Sequence, residues 1–141
     1  MSSSRKRLPT RYRAVLVADT NVLLRALIDD PSAPQQCLIA SEWLGRQTAV
    51  YVPQLVQAEL VWAINASKAA SRADLAMLLR ALLDHPAIHL QHPDAYLAAL
   101  NHVDDGGDFA DGIIVFEAQR VQAQVVTFDR KFAKRRGVQF L

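Results

Sequence analysis

The stretch Ala14-Val-Leu-Val-Ala-Asp19-Thr-Asn-Val-Leu-Leu24 decides how this chain is read. An apolar, partly β-branched run of strand length ends abruptly in a carboxylate. A hydroxyl, an amide and helix-forming residues follow at once. This predicts a strand over 14–18, then a helix opened by Asp19 or Thr20 as its cap and stopped at Asp29-Asp30-Pro31. An ionised acid at the end of a buried strand is costly unless something binds it. In open α/β sheets, ligands sit in the crevice beyond the carboxyl ends of the strands. Asp19 is therefore the position to which other chemistry should converge.

Outward from it, helix and strand signals alternate. Pro34 opens a helix with Leu38, Ile39, Trp43 and Leu44 on one side, ending near Gly45. Residues 49–52 read as a short strand, and Pro53 suits the first turn of a helix over 53–68. Leu55, Val56, Leu60, Trp62 and Ala63 form that helix's apolar stripe, and Glu59 lies within it. A lone glutamate on a core face is unusual, because burying an unpaired carboxylate is expensive. Ser71-Arg-Ala-Asp74 has the form of a capping box before Leu75, Leu78, Leu79 and Leu82. A strand is expected over 88–90 and a helix over 94–103. Asp108 can cap the helix that follows 104–107 and complement its dipole. Asp111 shares a face with Ile114, Val115 and Ala118, which is expected to be buried. Strands are expected over 125–127 and 138–141, and Asp129 is a second acid just past a strand's carboxyl end. Strands alternating with helices imply a parallel sheet covered on both faces.

Length and composition narrow the class. At 141 residues, 51% hydrophobic and 21% charged, the sequence reads as one globular domain. No apolar run approaches the roughly 20 residues of a membrane span, and the start has no apolar segment of a secretory signal. A single cysteine, Cys37, excludes an internal disulfide and fits a reducing cytoplasm. Residues 1–13 carry Arg5, Lys6, Arg7, Arg11 and Arg13 without an acid, and read as a flexible basic arm before a domain over 14–141. A second basic cluster is Arg130, Lys131, Lys134, Arg135 and Arg136. Between them, residues 14–129 hold six bases against fourteen acids. Basic flanks around an acidic centre suit a metal site beside a polyanion, and equally suit solvated, soluble ends. His85, His89 and His92 are not on one continuous helix, because Pro86 and Pro93 interrupt it.

Asp19, Glu59, Asp111 and Asp129 each admit a local explanation, but together they suggest convergence on one pocket. Two carboxylates about 4 Å apart repel by roughly 4 kcal/mol at an effective dielectric near 20. Four need a compensating cation. Oxygen-only ligation favours Mg2+ or Mn2+ over zinc, which prefers His or Cys. Carboxylate-held magnesium usually faces phosphates and generates the attacking hydroxide.

Four segments carry a resemblance. Val17-Ala-Asp19-Thr-Asn-Val-Leu-Leu24, Val56-Gln-Ala-Glu59-Leu60, Phe109-Ala-Asp111-Gly-Ile-Ile114 and Val126-Thr-Phe-Asp129-Arg-Lys-Phe132 follow, in order and spacing, the PIN-domain family. The chain most closely resembles the VapC-type toxins of bacterial toxin–antitoxin pairs. The resemblance implies a three-layer α/β/α sandwich with a central, mostly parallel sheet. It also implies a Mg2+-dependent endoribonuclease, in which Mn2+ can substitute. Asp19, Glu59, Asp111 and Asp129 then correspond to the metal-binding catalytic acids, and Asp108 is either an extra ligand or a plain cap. Thr20 and Asn21 correspond to the polar residues supporting the first acid, and Thr127 to the hydroxyl before the last. Arg130, Lys131, Lys134 and Arg135 are candidates for holding the RNA backbone. Like its relatives, the protein would dimerise and be silenced by a cognate antitoxin. Gly112, where alanine is common in the family, reads as a minor change that slightly loosens its helix.

Other readings remain open at this level. A haloacid-dehalogenase-like phosphatase also begins strand–Asp, but wants a second aspartate where Asn21 stands. A PIN nuclease of RNA processing without an antitoxin, or a silent PIN interaction module, would share the fold. The presence of all four acids disfavours the silent module.

Overall fold

Side-chain caps at Asp19, Ser71 and Asp108, and the prolines Pro34 and Pro93, open five of the described helices. A computed structural model of the chain describes residues 15–67 and 70–141, so the expected basic arm over 1–13 lies outside the described residues. Strand β1, Leu16–Val17, is followed by α1, Thr20–Leu27, with Asp19 as N-cap. Pro34 stands in the first turn of α2, Pro34–Arg46. Then come β2, Val50–Val52, α3, Gln54–Ser67, and α4, Arg72–Asp84. Helix α4 opens with the expected reciprocal capping box of Ser71 and Asp74. Strand β3 is Ile88–Leu90, α5 is Pro93–Asp104 and α6 is Phe109–Arg120. Strand β4, Val125–Thr127, a short 3-10 turn at Phe132–Lys134 and β5, Val138–Phe140, complete the described chain.

Among the described residues, every strand pairing is parallel. Two compact units are separable, one reaching to Gln91 and one spanning His92–Leu141. In the first, β2 lies between β1 and β3, with Leu16 opposite Val50 and Val52 opposite Leu90. Its core is Leu23, Val50, Val52, Leu60, Ile64, Leu79 and Ile88, all essentially inaccessible. In the second, β4 pairs with β5, and α5 packs on α6. Tyr96 meets Phe109 edge-to-face at 5.6 Å, and burial pushes the Tyr96 hydroxyl far above the ordinary tyrosine range. Among the described residues, no helix is long and apolar enough to cross a membrane.

Three expectations about faces need correction. The inward face of α3 is Gln57, Leu60, Val61 and Ile64, whereas Leu55 and Trp62 are 69% and 74% exposed. Glu59 is exposed, not on a core face. The helix is apolar nearly all round, so its spacing alone does not fix which side turns inward. Helix α6 repeats the problem: Phe109 and Gly112 are its buried positions, Ile114 is exposed and Asp111 is half-buried. In β1, Val17 is 59% exposed and the buried residue before Asp19 is Ala18. Asp19 itself is exposed, so the cost of burying its charge does not arise.

Gly112 is also not a minor change. A Cβ there would stand 2.8 Å from Ala99 Cα and 2.9 Å from His102 Cβ. Its absence is what allows α6 to approach α5 so closely.

Candidate functional site

The first unit assembles Asp19, Thr20 and Glu59. Strand β1 delivers the chain to Asp19, whose Oδ1 accepts a hydrogen bond from the Val22 amide at 3.1 Å. That cap satisfies one orphan amide of α1 and fixes the carboxylate's orientation. It engages one carboxylate oxygen, which leaves the cap compatible with the other oxygen serving a cation. Thr20 Oγ1 donates to Glu59 Oε2 at 2.6 Å across 39 positions of sequence. The hydroxyl thus engages Glu59 rather than Asp19, and it holds a glutamate of α3 against the residue that follows Asp19. Asn21 is exposed. Asp19 and Asn21 border a cavity of about 670 Å³ whose walls include Val22, Ile39 and Trp43.

The second unit assembles Asp108, Asp111 and Asp129. Asp108 Oδ2 accepts from the Asp111 amide at 3.2 Å, so it caps α6, as the simpler of its two readings expected. Thr127 Oγ1 accepts from the Asp129 amide at 3.0 Å, which gives that hydroxyl a definite role in shaping the strand end. Asp129 Oδ1 in turn accepts from the Lys131 and Phe132 amides at 2.9 and 3.0 Å. The carboxyl of Asp111 is pushed above the usual aspartate range. Partial burial is the first cause, and the negative charges of Asp108 and Asp129 add to it.

The basic cluster divides. Arg130, Lys131 and Lys134 are exposed, although the Arg130 guanidinium stacks over the Phe140 ring at 4.6 Å. Arg135 is half-buried and donates to the Asp105 carbonyl at 2.7 Å, so it braces the end of α5 as well as carrying charge.

The donor chemistry suits a hard divalent ion: carboxylate oxygens, oriented by caps, without a thiolate or imidazole among them. Among the described residues, no group of three or more His, Cys, Asp or Glu side chains is arranged as a metal cage. The structure thus brings Glu59 to Thr20 and crowds Asp111 with Asp108 and Asp129, each within its own unit. His85 Nδ1 accepts a hydrogen bond from the Ala87 amide at 3.1 Å.

One functional neighbour escaped the sequence reading. Gln57 is 2% exposed, the single buried polar side chain among the described residues. Its amide Nε2 donates to the Val52 carbonyl at 3.1 Å and the Gln91 carbonyl at 2.8 Å. Its position two residues before Glu59 was visible, but nothing in the spacing marked it as the inward side.

Comparison with protein families finds that the PIN domain matches residues 16–138. Comparison with curated proteins finds no match.

Proposed function

Because the chain belongs to the PIN-domain family, whose members are generally nucleases, we propose that it is a Mg2+-dependent endoribonuclease and the toxin of a VapBC-type pair. The observation that carries the reading is the Thr20–Glu59 hydrogen bond at 2.6 Å. It joins two of the four family motifs at the carboxyl end of β1, where an α/β protein of this type places its ligands. Asp19, Glu59, Asp111 and Asp129 serve as the acids of the site, with Asp108 as a candidate fifth. A divalent ion held by these carboxylates would supply Lewis acidity, activating the attacking water and neutralising charge on the phosphodiester.

The chain's own residues do the rest. Thr20 fixes the Glu59 carboxylate, and Thr127 sets the turn on which Asp129 is displayed. Capping holds Asp19 and Asp129 in one orientation before any ligand arrives, which lowers the reorganisation needed on binding. Lys131 and Lys134, with Arg130, contact the RNA backbone through charge, independently of base sequence. Arg135 contributes charge while bracing α5. On this reading the protein acts in the cytoplasm as a homodimer, and a cognate antitoxin silences it. The VapC-like order and spacing of the four motifs supports that assignment.

The test is cleavage of single-stranded RNA by purified protein with Mg2+ or Mn2+, with EDTA, and with the Asp19→Asn variant. Cleavage that requires the ion and falls at least about 100-fold in Asp19→Asn supports the proposal. Equal activity in the variant, or undiminished activity in EDTA, refutes it. Co-expression with the product of a small neighbouring gene that abolishes cleavage would support the toxin assignment. Indifference to any such product would favour RNA processing.

A further inference from the structure

Glu59 lies on α3, the helix that carries the buried side-chain amide of Gln57. Gln57 uses both N–H groups of one Nε2, on Val52 at the end of β2 and on Gln91 just past the end of β3. Only the amide nitrogen can serve two carbonyls, so the orientation of the side chain is determined. Gln91 answers in kind: its Oε1 accepts from the Gln54 amide at 2.8 Å, in the first turn of α3. Its backbone N–H donates to the Val52 carbonyl at 2.9 Å. The start of α3 is thus bolted to two adjacent strand ends at two points. Within this bracket, Gln57 Oε1 and Gln54 Nε2 are buried without a protein partner. A buried polar centre of this kind is expensive to keep for stability alone.

Residues 57 and 59 are about 200° apart around a helix. Gln57 therefore faces inward while Glu59 faces out, in agreement with their burial. We infer that Gln57, together with Gln91, is a positioning residue for Glu59: the bracket sets the rotation of α3 and so the place of the Glu59 carboxylate beside Thr20. The inference rests on the proposal that Glu59 holds a divalent ion. A side-chain tip lies about 5–6 Å from a helix axis, so a 10° turn carries it about 1 Å. A displacement of about 1 Å at a reacting group can reduce rate 100-fold. Residues that orient metal ligands typically change metal affinity or activity by about 10–100-fold when replaced.

The experiment measures Mn2+ binding by calorimetry in wild type, Gln57→Met, Glu59→Gln and the double variant, with thermal melts alongside. Methionine keeps the length and burial of the side chain but removes both donors. Gln57→Met should weaken Mn2+ binding about 10-fold or more, and should change it little when Glu59 is already glutamine. The half-saturating Mn2+ for RNA cleavage should rise by a similar factor, with the rate at saturating ion less affected. A lowered melting temperature with unchanged Mn2+ affinity overturns the inference, because that is what a purely structural glutamine gives. Equal weakening in the presence and absence of Glu59 overturns it too. Wild-type protein that takes up no Mn2+ refutes the metal reading itself, which is a different result from uptake that ignores Gln57.

Discussion

Gly112→Ala sets two effects of opposite sign against each other. In a helix interior, alanine is favoured over glycine by about 1 kcal/mol. At Gly112 the new Cβ would lie 2.8 Å from Ala99 Cα and 2.9 Å from His102 Cβ. Carbon atoms pack at about 3.5–4.0 Å, so α5 and α6 would have to part by roughly 0.7 Å. The first obstruction is backbone and the second is the root of a side chain, so no change of rotamer relieves them. Overpacking of this kind costs about 1–3 kcal/mol. The expected net change is a loss of up to about 2 kcal/mol. Urea denaturation followed by circular dichroism reads this directly, since slopes of about 1–3 kcal/mol per M turn a 1 kcal/mol loss into a midpoint lowered by about 0.5 M. Gly45→Ala is the internal control. Gly45 also sits in a helix, α2, but a Cβ there meets nothing within 4 Å. It should raise stability by up to about 1 kcal/mol. If Gly112→Ala is stabilising to the same extent as Gly45→Ala, the close approach of α5 and α6 is refuted.

Thr20→Val keeps the shape of the side chain and deletes the donor to Glu59; cleavage should fall about 10–100-fold, while the unfolding midpoint barely moves. Ser71→Ala breaks the capping box of α4 and should lower stability by about 1 kcal/mol, with cleavage per folded molecule unchanged. The carboxyls of Asp30 and Asp74 are held below the usual aspartate value of 3.8, chiefly by hydrogen bonds from Ser32 and Ser71 respectively. Since the folded value is the lower one, their stabilisation is complete above the unfolded pKa and is lost as pH falls through the folded value. Melting temperature should therefore drop below about pH 4, and Asp30→Asn should flatten part of that drop; an unaltered acid limb would contradict it. Lys131→Ala should weaken RNA binding evenly across sequences and reduce the salt slope by about 1. Arg135→Ala should instead lower stability as well, by about 1 kcal/mol, through loss of its bond to Asp105.

The order of elements was legible because it is written in local chemistry. Asp19, Ser71 and Asp108 cap the helices that follow them, and Pro34 stands in a first turn as expected. The rotation of the helices was not legible. In α3, the residues Leu55, Val56, Leu60, Val61, Trp62 and Ile64 surround the axis, so several inward faces satisfy the same pattern. The structure selects the face containing Gln57, whose side-chain amide donates to the Val52 and Gln91 carbonyls. Of these two partners, Gln91 is 34 positions away and leaves no local trace. Gly112 was underestimated for the same reason, since its role depends on Ala99 and His102. The reasoning that singled out Glu59 and Asp111 as acids on buried faces was mistaken about burial, Glu59 being exposed and Asp111 only half-buried. Their motif context, not their burial, is what makes them candidates.

The central claim is that Asp19, Glu59, Asp111 and Asp129 act in one metal-dependent reaction. Groups that work as a unit give strongly non-additive losses, because removing one already removes most of what the others contribute. The most direct measurement is the single-turnover RNA cleavage rate, with Mg2+, of Asp19→Asn, Asp111→Asn and the double variant, each checked for folding. Each single variant should lose at least about 100-fold, and the double should be hardly slower than the slower single. Losses that multiply in the double variant, or a single variant that cleaves like the wild type, would contradict the claim.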